Sequence, residues 1–185
     1  ASLAFYRDQG LDRIPVRGFL AANTVPGAVS GWDAAYRFAR EVMGPGLPWP
    51  RLLETAIGYA RDGFPVSPGL AYWLTADAAT TDRELRHLGR FADFARTFLK
   101  PGGRPSAQGE VMRLPELART LECLAADGAD AFYRGPIAAR IAASLQAHGG
   151  ILTREDFAAH RADWAEPLRV PYRGLTACNC PPNSQ

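Results

Sequence analysis

Glycine and proline cut this chain into short pieces, and that division constrains the fold more than any other feature. The 18 glycines and 15 prolines fall repeatedly where apolar runs of helical period end. Gly44-Pro45-Gly46, Gly63 with Pro65, Gly128, Gly135-Pro136 and His148-Gly149-Gly150 each read as a helix stop. Glycine takes the left-handed backbone that closes a helix, and proline cannot continue one. The stretch from Asp127 to Ala138 shows the device most clearly, because it joins two helical runs through a Gly-rich break.

Between the stops, apolar residues recur at three and four positions, the period of an amphipathic helix. Ser2 to Gln9 predicts a short helix closed by Gly10, and Leu11 to Asn23 a loop or extended pass. Val29, Trp32, Tyr36, Ala39 and Met43 predict a helix after the Pro26-Gly27 turn. Pro48 or Pro50 opens the next, with Leu52, Leu53, Ala56, Ile57 and Ala60 expected inward. Ser67-Pro68 caps another, with Leu70, Trp73 and Leu74 on its core side, and Thr81 with Glu84 suggests a new start. Leu85, Leu88, Phe91, Phe94, Ala95 and Phe98 predict a helix with a wide aromatic face. Lys100 to Gln108 reads as the longest loop, and Gly109 to Arg113 as a short extended piece. Pro115 begins a helix with Leu117, Leu121, Leu124 and Ala125 inward. Ala129 to Tyr133 adds a turn, and Pro136 starts a helix through Ile137, Ile141, Ala142 and Leu145. Thr153 to Asp156 has the form of a capping box and opens a short helix to His160.

The period changes after Pro167. Leu168, Val170 and Tyr172 alternate with Arg169, Pro171 and Arg173, which predicts a strand with one wet face and, from Pro171, an edge or a bulge. Arg173-Gly174 turns the chain into a second strand through Cys180. The expectation is α+β: one region, residues 1–185, with seven or eight helices up to about residue 160 and a hairpin over about 166–180. The start lacks an initiator Met, and Pro181 to Gln185 reads as mid-loop, so both ends are expected to be truncated.

Composition narrows the function classes. Lys+Arg 21 against Asp+Glu 19, a net charge of +2, is too balanced and too scattered for a nucleic-acid surface. No run reaches the ~18 apolar residues of a membrane span. The odd count of cysteines argues against a disulfide framework; Cys178 and Cys180, two apart on a strand, read as small apolar residues, and no metal site is expected. His87, His148 and His160 lie far apart and read as surface or capping groups, with His148 suited to a helix C-terminus. No serine sits in a nucleophile elbow, and Gly102-Gly103 lacks the residues of a phosphate loop. Arg134 reads first as a structural ion pair or carbonyl cap and second as a grip on a substrate carboxylate. Asn183-Ser184 reads first as a plain turn and second as polar groups at a site mouth.

Several blocks, in order and spacing, resemble the large-subunit region of the gamma-glutamyltransferase family. They are Ile14-Pro15-Val16-Arg17-Gly18, Thr24 to Trp32, Leu47-Pro48-Trp49, Asp62 to Ser67, Phe98-Leu99 with Gly109-Glu110, and Pro115 to Ala118. Gly128 to Ala138, Gly149 to Thr153 with Glu155-Asp156, Tyr172-Arg173-Gly174 and Pro181 to Gln185 complete the series. The resemblance implies a piece of an N-terminal-nucleophile hydrolase of four-layer αββα fold, made as a precursor that cuts itself into a large and a small subunit. The small subunit's terminal Thr would attack a gamma-glutamyl amide such as glutathione. No cofactor is implied, and the expected partners are that small catalytic subunit and a small-molecule gamma-glutamyl substrate. No residue here matches a family catalytic position, so the chain alone is expected to be inactive. The Ala177-Cys178-Asn179-Cys180 segment stands where the family usually has aromatic or aliphatic residues, and the Pro-Pro-Asn-Ser-Gln ending is closer to the transferase-like and acylase-like branches, which leaves glutaryl or oxamate-type amides as the alternative. A non-catalytic helical scaffold is the rival from another class. The resemblance does not assign a compartment. Separated from its sheets, the chain is expected to associate or lose order through Trp32, Trp49, Trp73 and the Phe91-Phe94-Phe98 face.

Overall fold

Local sterics place most element boundaries where glycine and proline predict them. The computed structural model describes residues 3–16, 18–79, 88 and 91–181. In chain order it has α1 (Leu3–Asp8), α2 (Ala28–Met43), α3 (Trp49–Asp62), β1 (Phe64–Pro65) and α4 (Pro68–Ala79). These are followed by α5 (Ala92–Phe98), β2 (Leu99–Lys100), a 3-10 turn (Pro101–Gly103), β3 (Arg104–Pro105) and β4 (Val111–Met112). The last part holds α6 (Pro115–Asp127), α7 (Asp130–Tyr133), α8 (Pro136–Ala147), α9 (Arg154–Ala159), β5 (Leu168–Tyr172) and β6 (Leu175–Asn179). The α+β, mostly helical reading holds. The helices number nine among the described residues because the four-residue α7 stands as a helix of its own.

Close approach requires glycine at positions that include Gly63 and Gly135. Gly63 has φ 109°, and a Cβ there would lie 2.5 Å from Val111 Cγ1. A Cβ on Gly135 would lie 2.5 Å from the Ala131 carbonyl oxygen, so the α7–α8 joint closes only around hydrogen. The Thr153 capping box forms as expected: Asp156 N–H donates to Thr153 Oγ1, and Thr153 N–H donates to Asp156 Oδ2.

The main core lies between α3 and α6, which pack along each other, and is closed by α7, the start of α8, Leu152 and Phe157. Leu53, Ala60, Ala118, Leu121, Leu124, Ile137 and Ala138 are buried in it, and Phe157 is 0% exposed. Trp49 fits against this core rather than forming an open patch. Its Nε1–H donates to the Leu124 carbonyl at 2.7 Å, so the indole loses no hydrogen bond on entry. A smaller core holds Val66, Leu74 and Met112, with Phe94 and Phe98 half-buried against it. β1 pairs antiparallel with β4, Phe64 opposite Met112, and joins the two cores through Leu114, whose N–H donates to the Ala60 carbonyl at 2.7 Å.

Several expectations are corrected. Leu52, Ala56, Leu117 and Trp73 were expected inward and are exposed, Trp73 at 70%. Each sits one helical step from the buried row, and helical period alone does not say where the neighbour lies. The stripe on α2 buries Val29 alone, with Trp32 and Met43 open. Of the helix expected from Leu85 to Phe98, α5 covers Ala92 to Phe98 and is preceded by Phe91 in extended backbone; Leu85 and the Thr81–Glu84 cap lie outside the described residues. The expected Lys100–Gln108 loop contains an ordered ribbon, β2 paired with β3. The hairpin has both faces exposed rather than one.

Glu110 ties that ribbon down. Its carboxylate accepts from Arg104 at 3.0 and 3.2 Å, from Lys100 at 2.9 Å, and from the Ala107 N–H at 2.7 Å. The Arg104 hydrogen bonds, then those from Lys100 and Ala107, hold its pKa down at about 2, from an ordinary 4.5. A lowered carboxylate pKa stabilises the fold above the unfolded-state value and loses that contribution as pH falls through the folded one.

The molecule exposes 13064 Å2, against roughly 8,700 Å2 for a compact monomer of its 20.1 kDa mass. Exposed apolar groups on α2 and the hairpin include Phe38, Val42, Met43, Val170 and Leu175. Phe157→Ala is expected to cost about 3–5 kcal/mol in urea unfolding, and Leu52→Ala less than about 0.5 kcal/mol. The stability gap between the native chain and Glu110→Gln is expected to be full above pH 4.5 and to shrink toward pH 2; a gap independent of pH would refute the clasp.

Candidate functional site

A cavity of about 500 Å3 opens where α2, α7 and the segment after α9 meet. It is lined by Ser30, Asp33, Arg37 and Phe38 from α2, by Asp130, Tyr133 and Arg134, and by His160, Arg161 and Trp164. The N-cap of α2, Gly27, offers no side chain to the free N–H groups that begin the helix. Tyr133 replaces it from across the fold. Its hydroxyl accepts from the Ser30 N–H at 3.0 Å and donates to the Pro26 carbonyl at 2.8 Å. The Pro26-Gly27 turn and the Tyr133-Arg134-Gly135 break, far apart in sequence, thus form one junction.

Ser30 and His160 lie 130 residues apart in sequence, with Oγ and Nε2 at 2.8 Å. The distance suits a nucleophile and its base, but the proton count assigns another role. Ser30 Oγ also lies 2.8 Å from the Gly27 carbonyl oxygen. A carbonyl cannot donate, so the single serine proton occupies that contact. His160 Nε2 then carries the proton it shares with Ser30 and donates it. His160 therefore braces Ser30 rather than activating it, and it stacks on the Tyr133 ring at 5.0 Å.

The arginines around the cavity are paired. Arg37 meets Asp33 at 2.8 Å, and Arg134 meets Asp130, its neighbour one turn back on α7. Arg134 also reaches the Ala158 carbonyl at 3.4 Å, and Arg161 donates to the Ala158 and His160 carbonyls at 2.8 and 2.7 Å. Arg134 thus fills the structural role, an ion pair and a carbonyl cap. A second, more apolar cavity of about 370 Å3 lies between the end of α5 and the start of α6, with Arg96, Phe98, Leu114 and Leu117 among its walls.

The other residues singled out in the sequence do not converge here. His148 sits at the C-terminus of α8, where Nδ1–H donates to the Ser144 carbonyl at 2.7 Å and the ring stacks on Phe19 at 4.5 Å. Cys123, Cys178 and Cys180 are free thiols, and the last two are exposed, not packed as small apolar groups. Among the described residues no three His, Cys, Asp or Glu side chains come together as metal ligands, and no helix is long and apolar enough to cross a membrane. His87, Asn183 and Ser184 lie outside the described residues. The Ser30–His160 contact was missed in the sequence, where His160 read as a surface or capping group and Ser30 was not singled out; only the fold brings them together.

If Tyr133 caps α2, Tyr133→Phe removes the partner of both the Pro26 carbonyl and the Ser30 N–H and is expected to cost about 1–3 kcal/mol. Ser30→Ala is expected to cost less, about 1 kcal/mol. Urea unfolding of both variants tests the order, and a reversed ranking would remove the capping role.

The family model described as gamma-glutamyltranspeptidase matches residues 1–185. The chain is 44% identical over 176 residues to the oxamate amidohydrolase proenzyme of Klebsiella pneumoniae, covering 95% of this chain and 32% of that protein. It is 38% identical over 179 residues to the glutathione hydrolase-like YwrD proenzyme of Bacillus subtilis, covering 96% and 31%. Among solved structures it resembles the gamma-glutamyltranspeptidase of Helicobacter pylori, with a TM-score of 0.79 and 28% identity over 95% of this chain and 47% of that one. The chain therefore spans about a third of the length of the curated relatives it matches.

Proposed function

The chain belongs to the gamma-glutamyltranspeptidase family, and from that premise we propose that it forms the helical middle of the large subunit of an N-terminal-nucleophile enzyme. That enzyme hydrolyses gamma-glutamyl amides or passes their acyl group to an amine. The observation that carries this reading is the match of the family model over all 185 residues. The geometry supports a non-catalytic share for this chain: the Ser30–His160 pair has its serine proton committed to the Gly27 carbonyl.

The chemistry then belongs to a threonine at the head of a separate small subunit. Its hydroxyl oxygen attacks the amide carbonyl while its own α-amine takes the hydroxyl proton. Collapse of the tetrahedral intermediate breaks the carbon–nitrogen bond, and the departing amine takes that proton. Water or an amine acceptor then adds to the ester carbon and frees the threonine oxygen. This chain packs a helical layer against the catalytic sheets and supplies strands to them. Its relatives are named as proenzymes, which supports a partner cut from the same precursor.

A second reading rests on a specific observation, the 44% identity to an oxamate amidohydrolase proenzyme. On that reading the acyl group is shorter and the same acyl-enzyme route ends in water. Assaying the precursor against gamma-glutamyl anilide, glutaryl anilide and oxamate separates the two. The expected outcome is autocleavage into two polypeptides, the smaller beginning with Thr, and preferential release from the gamma-glutamyl anilide. Preference for oxamate would select the second reading, and an uncleaved precursor that turns over none of the three would refute both.

A further inference from the structure

Most polar groups around the second cavity, the one of about 370 Å3 between the end of α5 and the start of α6, are already engaged. Thr97 turns its hydroxyl back onto its own helix, where Oγ1–H donates to the Asp93 carbonyl at 2.7 Å. Arg96 meets Asp93 at 3.0 Å, and Arg119 takes the Glu116 carboxylate at 2.7 Å. Arg113, which also lines the cavity, differs. Its Nε–H donates to the Asp62 carbonyl at 3.0 Å, at the end of α3. Among the described residues neither of its Nη groups has a partner, and no carboxylate answers its charge.

The rest of the lining is apolar. Phe98 is half-buried against the smaller core, its ring 4.9 Å from that of Phe94. Leu114 touches both cores, and its N–H is fixed on the Ala60 carbonyl at 2.7 Å, so this wall is preformed. Pro115 follows with no N–H to satisfy, and Leu117, another wall, is 44% exposed. Ligand sites combine such walls with a small number of placed polar groups, and this volume falls at the small end of their range.

We propose that this cavity binds a small carboxylic acid with an apolar aryl or alkyl body, the carboxylate on the Nη groups of Arg113 and the body against Phe98, Leu114 and Leu117. A guanidinium offers two parallel N–H donors to a planar carboxylate, an arrangement that a single hydroxyl cannot match. The charge count selects a monoanion. One cation is uncommitted, and the Glu116 carboxylate in the same lining repels a second negative charge, so a phosphate dianion fits less well. An ammonium ligand would meet Arg113 with like charge. The walls select the body: with the Arg96, Thr97 and Glu116 side chains engaged, a polyhydroxylated ligand would give up its water contacts without replacement. The inference stands on the cavity itself and needs no assumption about the acyl chemistry.

Titration of the full-length protein with phenylbutyrate, followed by the NMR signals of the Leu114 and Leu117 methyl groups, tests this; phenylbutanol is the neutral counterpart. Saturable shifts at both residues are expected, with a dissociation constant of about 1 mM or below. The alcohol is expected to bind about tenfold more weakly, and Arg113→Gln to erase that difference by weakening the acid alone. Leu117→Trp, a change at an exposed position that fills the cavity, is expected to abolish the Leu114 shifts with either compound. Equal affinity for acid and alcohol, or a preference that survives Arg113→Gln, overturns the proposal, as does binding at Leu114 that persists in Leu117→Trp. Absence of any shift at Leu114 and Leu117 overturns it too, and means that another part of the protein fills the cavity. Arg113→Gln also gives up the Asp62 carbonyl; should that variant fail to fold, the acid–alcohol pair and Leu117→Trp still decide.

Discussion

Tyr133 is the group on which the arrangement of the helices depends. It is 3% exposed, and a phenol so deep must have its hydroxyl satisfied or lose the free energy of its lost water contacts. The partners it finds are the Pro26 carbonyl and the Ser30 N–H, so the same bond that permits its burial sets the start of α2. Its ring then supports His160, which reaches back to Ser30. Three segments distant in sequence are placed by one side chain, and the Gly135 turn that follows it tolerates no Cβ.

From that junction outward the fold is uneven. Between α3 and α6 the packing is dense, and Trp49 and Leu124 are joined by a hydrogen bond as well as by contact. On α2 beyond Val29, and throughout the hairpin, apolar side chains face outward. Scattered exposed apolar groups are ordinary. An apolar helix stripe and a hairpin open on both faces, in a molecule with half again the surface of a compact monomer, are the marks of elements shaped to be covered. This agrees with a chain that corresponds to about a third of its relatives. The polar cavity beside Tyr133 fits the same view, since each of its arginines is already bound to a carboxylate or a carbonyl.

Helix and strand identity were legible in the sequence because they follow from local rules. Gly44, Gly63 and Gly128 end helices in the structure as their positions suggest, and the Thr153 capping box closes within three residues. The β2–β3 ribbon was not legible. Its stability comes from Glu110, which gathers Lys100 and Arg104 from up to ten residues away, and no local preference marks a clasp of that kind. The candidate site was legible only in part. Arg134 was read as a structural ion pair and is one, whereas His160 was read as a helix-end group and proved to be a brace for Ser30.

The sequence by itself determined where most of the described helices start and stop, where the period changes from helical to extended, and the family to which the chain belongs. Those depend on steric limits within a few residues and on the order of blocks along the chain. Tertiary structure alone decided which side of each helix is buried, which histidine meets which serine, and that the hairpin stands uncovered. An apolar stripe specifies that a face needs a neighbour; which neighbour arrives, and whether it belongs to this chain, depends on contacts between residues as far apart as Ser30 and His160.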